Sequence, residues 1–80
     1  MTILKRSICD VAHEILSDWA TPHPFAKPYL NAMLALRLPT DRYIAEDGHS
    51  IVAYFLANAS TYRGERARAL KAELRAIIGE

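Results

Sequence analysis

Eighty residues leave room for one hydrophobic core and no more, and a chain of this size buries only about 60% of the surface it exposes when unfolded. A composition of 51% hydrophobic and 24% charged residues excludes a disordered chain, and a net charge of +1 excludes the polyelectrolyte character that points to nucleic acid by itself. The lone cysteine, Cys9, excludes a disulfide-stapled scaffold and favours a reducing compartment, so the expectation is a single cytoplasmic domain over residues 1–80.

The first predicted element is a helix over 2–20. Leu4, Ile8, Val11, Ala12, Ile15 and Trp19 recur at spacings of three and four, and Thr2 is placed to cap it. Lys5, Arg6 and Asp10 interrupt any apolar run before it reaches the length of a signal peptide or a membrane span. Asp10, Glu14 and Asp18 form a ridge of carboxylates at i, i+4 spacing, a repulsive row that calls for a basic partner.

TPHPFAKP follows as a stiff connector, since each proline disfavours helix at the residue before it. Pro28 suits the first turn of a second helix, 28–37, which is apolar around more than half its circumference. Pro39 closes it. LPTDRYIAEDGHS then reads as a long loop, with Tyr43 and Ile44 folded onto the core, a helical turn near Asp41, a turn signal at Asp47-Gly48 and Ser50 as the next N-cap. No alternation of useful length suggests a strand.

The C-terminal third carries the strongest pattern. At about 100° per residue, Val52, Phe55, Leu56, Ala59, Arg63, Arg66, Ala67, Leu70, Leu74 and Ile77 share one face. The stripe keeps its phase through Gly64, yet one helix from Ser50 to Ile78 would be about 43 Å long in a domain about 30 Å across. Asn58, Ser60, Thr61 and Gly64 are poor helix formers, and Thr61 can cap a new helix. A kink or break near 58–64 is therefore expected, giving helices at 50–61 and 64–78. The fold class is all-α, a compact bundle of three to four helices.

The candidate sites follow from that wheel. Arg63 and Arg66 interrupt the apolar stripe, and a buried guanidinium needs a partner. Either they pair with the first helix's carboxylate ridge (Asp10, Glu14, Asp18), Asp18 being the partner singled out, or with Asp41 or Asp47 in the loop, or they form a site for an anionic ligand. Arg68, Lys71 and Arg75 make an outward basic ridge, the least a phosphate-contacting helix would show, diluted by Glu65, Glu73 and Glu80. Tyr54 points away from the stripe with Asn58 and Thr61 and marks a contact surface, whereas Trp19, Phe25, Tyr29 and Phe55 read as core and Tyr62 as either. Cys9 and His13 have the spacing of half a metal site, but only His23 and His49 remain to complete it, so no metal, cofactor or catalytic residue is assigned.

The stretch IVAYFLANASTYRGERARALKAEL, with PYLNAML upstream, resembles short bacterial and prophage-encoded helical proteins of unknown function. The resemblance implies no activity and no cofactor, only a mobile-element origin. The reading of the residues is a non-enzymatic protein–protein interaction module that self-associates by burying leftover apolar surface of the C-terminal segment, its orientation fixed by the acidic ridge of Asp10 and Glu14 meeting the basic ridge of another copy. The alternative is a small nucleic-acid-binding or regulatory factor using the C-terminal helix.

Overall fold

The computed structural model describes residues 6–80, and the expected cap at Thr2 lies outside them. Ser7 sits in extended backbone and accepts a hydrogen bond from the Asp10 amide, while the Asp10 carboxylate accepts one from the Ser7 amide. This capping box starts α1 at Ile8, and the helix runs to Asp18. Two further amides of its first turn are satisfied from a distance: Ile8 donates to the Arg37 carbonyl at 3.0 Å and Cys9 to that of Leu36 at 2.8 Å. Ser7→Ala is expected to cost about 1 kcal/mol, read as a drop in the denaturation midpoint with no change in slope.

The second helix, α2, spans Lys27–Met33 with Pro28 in its first turn as expected, but stops four residues short of Arg37. Its continuation is used differently. Leu36 is fully buried, and its carbonyl and that of Arg37 accept from the first-turn amides of α1. Asp41 pins this turn, accepting hydrogen bonds from the Arg37 and Leu38 amides at 3.0 Å each.

Where a loop was expected there is a short antiparallel hairpin, β1 (Arg42–Tyr43) and β2 (Glu46–Asp47), paired Arg42 with Asp47 and Tyr43 with Glu46. The domain is mainly helical rather than purely all-α. Two-residue strands are too short to leave an alternating pattern, which is why none was legible. Ile44 and Tyr43 do not fold onto the core; both are exposed at the hairpin.

Asp47, not Ser50, caps α3 (Gly48–Ala57), its carboxylate accepting from the Ser50 amide at 2.8 Å. The helix ends at Asn58, whose side chain donates back to the Tyr54 carbonyl. The expected break is present: α4 begins only at Glu65 and runs to Ile77, and Thr61 does not cap it. Gly64 stands at that position with φ 114°, a conformation open to glycine and costly for other residues. The result is a flattened body of 34 × 33 × 20 Å, shorter along every principal axis than a single helix of about 43 Å.

Packing places α2 on α3 and α1 on both α2 and α4. The core between them includes Ile8, Val11, Ile15, Leu30, Met33, Val52, Phe55, Leu70 and Leu74. Most of the apolar members of the C-terminal stripe are in it, so the phase survives the break because both helices turn the same face inward. The joint itself is held by Tyr62, which is buried, stacks on Trp19 at a centroid distance of 4.8 Å and donates its hydroxyl to Asp18 at 2.7 Å.

Candidate interaction surface

The two sides of the body differ in chemistry. On the α1–α4 side, Arg6 makes a two-pronged contact with Glu73, at 2.6 and 2.7 Å, and a third bond to Glu14 at 2.6 Å. Arg66 donates to the other oxygen of Glu14 at 2.7 Å. Glu14 therefore bridges two cations that lie far apart in sequence. These are surface pairs, and they fix the orientation of the helices more than they add stability.

The sequence expectations for this side are met in part, since Arg66 pairs with the carboxylate ridge of α1 through Glu14, and need correcting in part. Arg63 and Arg66 are exposed, not buried in the stripe: Arg63 lies in the non-helical joint, where Tyr62 takes the inward place, and Arg66 stands in the first turn of α4 at the edge of its apolar face. Arg63 donates to the Ser60 carbonyl, and Asp18 bonds Tyr62 rather than either arginine. The acidic ridge is also spoken for within the chain: Asp10 by the capping box, Glu14 by Arg6 and Arg66, and Asp18 by Tyr62. In the basic ridge, Arg68 and Arg75 are exposed, but Lys71 turns inward to donate to the Tyr62 carbonyl at 2.6 Å and lies over its ring. Burial, with Arg75 and Arg63 nearby, pulls its ammonium below the ordinary range. Burial, and then the bond to Asp18, pushes the Tyr62 phenol well above its own.

Four carboxylates are held below their ordinary values, each by its hydrogen bonds: Asp10 by Ser7, Glu14 by Arg6, Asp41 by the Leu38 and Arg37 amides, and Asp47 by the Ser50 amide. The unfolded chain thus binds more protons in acid than the folded one. Their contribution is complete above the ordinary values of 3.8 for Asp and 4.5 for Glu, and is lost as pH falls through the lower folded values. The melting temperature should hold steady from neutrality to about pH 5 and fall below about pH 4. A melting temperature unchanged between pH 6 and pH 3 would contradict this.

Among the described residues, besides Leu16 on α1 and Leu38 beside its N-terminus, the exposed large apolar side chains lie on the connector, the hairpin and α3. Phe25 in the proline connector is 69% exposed, Tyr54 on α3 47%, Tyr43 40% and Ile44 at the hairpin tip 89%. Phe25 was expected in the core. Its flanking prolines stiffen the connector, and Phe25 stays largely exposed, with its ring 5.2 Å from that of His23. Tyr29 joins the parts, with its ring 5.5 Å from that of Tyr54. It also borders, with Pro28, two shallow hollows. One, of about 450 Å³, is completed by Pro24, Phe25 and Asn58; the other, of about 290 Å³, by the hairpin, Ala32 and Ile51.

Ile44 adopts φ 60°, the only described non-glycine residue with positive φ. A β-branched side chain is a poor choice there, where a two-residue hairpin favours Gly, Asn or Asp. Sequence reasoning found Tyr54 but missed Phe25, Tyr43 and Ile44. The signal available was an isoleucine centred in a polar loop, DRYIAED.

A third hollow, of about 340 Å³, lies beside the α1 N-terminus between Arg6, Ser7, Asp10 and Arg37. Among the described residues no three His, Cys, Asp or Glu side chains are grouped to hold a metal, and Cys9 lies 3.2 Å from the Ser7 hydroxyl. No described helix is long and apolar enough to cross a membrane. Comparison with protein-family models, curated proteins and solved structures finds no match.

Proposed function

We propose that this domain is a non-enzymatic protein-interaction module and that its contact surface is the apolar face built by the proline connector, α2, the hairpin and Tyr54 of α3. The observation that carries the reading is the continuity of that face. Taking about 200 Å² for a whole side chain, Phe25, Tyr43, Ile44 and Tyr54 offer roughly 500 Å² to water, in the range where exposed patches mark contact sites. Tyrosine and phenylalanine are the residues enriched at such surfaces. The strained, exposed Ile44 supports the same reading, since neither turn chemistry nor core packing accounts for it. The chemistry is that of contact: two phenols, a phenyl ring, an isoleucine and one flanking carboxylate, Glu46.

A nucleic-acid role through α4 has less support, because Lys71 is turned into the Tyr62 carbonyl and leaves Arg68 and Arg75 as the exposed pair. The test is a photo-crosslinking phenylalanine analogue at position 54, compared with one at position 68. Adducts to protein from position 54 and none from position 68 are expected. Protein adducts absent from position 54 would remove the proposal.

A further inference from the structure

We infer that the occupant of the apolar face is a second copy of this chain, related by a two-fold axis; the inference rests on the interaction-module reading above. Size is the first argument. A stable pair covers about 800 Å² per partner, and in a homodimer about 65% of that is apolar. The roughly 500 Å² of exposed side chain on this face matches that share, with the polar rim making up the remainder.

Shape is the second. Pro28 and Tyr29 border both hollows and therefore stand between them, with Phe25 projecting at one end and Ile44 at the other. The face thus carries a protruding apolar side chain and a hollow at each end. A two-fold axis lying in the interface and crossing this line at Tyr29 exchanges the ends. The Ile44 tip of one copy then meets the Phe25 hollow of the other, and the contact occurs twice. A surface with projections and hollows on both sides of a central residue is self-complementary, as an isologous interface requires.

Charge is the third argument. Exposed Lys27 is two residues from Phe25, and the hairpin end carries exposed Glu46 beside exposed Arg42, so the same exchange offers Glu46 of one copy to Lys27 of the other. With a net charge of +1 per chain, two copies approach without substantial repulsion. The carboxylates of α1 take no part, because Arg6, Arg66, Ser7 and Tyr62 already engage them. The association predicted from the sequence is retained, on a different face.

The experiment is sedimentation equilibrium of the full chain across a dilution series, with Ile44→Asp and Phe25→Ser as variants and Arg68→Ala as control. A mass rising to that of two chains is expected. Each face variant should raise the dissociation constant about tenfold or more, and the control should leave it unchanged. All three side chains are exposed, and unchanged circular dichroism will show that the fold is intact. A strict monomer at millimolar concentration overturns the inference, as does a dimer indifferent to both face variants. The crosslinker at position 54 separates the two levels. Adducts only to other proteins from a monomeric chain overturn the second copy and leave the interaction module standing. The absence of protein adducts overturns both.

Discussion

Phe55→Ala is expected to lower the melting temperature by roughly 15–30 °C, the largest effect of any single truncation in the domain. Phe55 heads the fully buried side chains by size and meets Trp19 edge-on at 6.4 Å, so it sits where α3 packs against the end of α1. Truncating a buried phenylalanine costs about 3–5 kcal/mol, transfer and cavity combined. Against that, a domain of this length has a total stability of about 4–12 kcal/mol. The variant should therefore be partly unfolded at 37 °C, and the apolar face should disappear with the fold. Tyr54→Ala, one residue away but exposed, should shift the midpoint little. A Phe55→Ala midpoint within 5 °C of the parent would mean that the α1–α3 junction does not hold the core together.

Gly48→Ala is the second. On helix propensity alone this substitution gains up to about 1 kcal/mol, because Gly48 is the first residue of α3 and has no special backbone angle. The surroundings reverse the sign. An added methyl would stand 2.7 Å from the Leu38 carbonyl oxygen, 3.1 Å from that of Pro39 and 3.2 Å from the end of Ile8. Both oxygens are fixed by use: Leu38 accepts from Asp41 and Pro39 from His49. They cannot yield as a flexible side chain would, so the loop must shift, at an overpacking cost of about 1–3 kcal/mol. The melting temperature should fall by roughly 5–15 °C. Faster amide exchange at Gly48, which donates to the Asp41 carbonyl at 2.7 Å, should accompany the fall. A stabilised variant would show that propensity prevails and that the close approach is dispensable.

These two positions differ in how far the sequence exposes them. Phe55 is legible from the stripe: it recurs with Val52, Ala59, Leu70 and Leu74 at helical spacing, and all five are buried. Gly48 reads in sequence as half of a turn signal, Asp47-Gly48, and its true role depends on carbonyls ten and nine residues earlier. The same division runs through the candidate surface. Tyr54 is identifiable as outward-facing because it lies off the stripe of its own helix. Phe25 is not, since whether a connector aromatic is covered depends on what packs over it. Arg63 falls on the stripe only while the segment is treated as one helix; once the chain breaks before Gly64, Tyr62 occupies the inward place, and Arg66 in the first turn of α4 reaches out to Glu14.

The sequence alone determined what depends on neighbours within one or two turns. That includes the existence of the helices, their apolar faces and the interruption between Asn58 and Gly64, because helical periodicity and residue propensity are local properties. Tertiary structure decided what depends on residues distant along the chain. α1 is completed by carbonyls from Leu36 and Arg37, and Tyr62 is fixed by Asp18 across 44 positions. Glu14 is shared by Arg6 and Arg66, and Phe25, Ile44 and Tyr54 come to lie along one face. No periodic pattern encodes which surface remains uncovered when the core is full. That surface is what packing leaves over, and here what is left over is the apolar face.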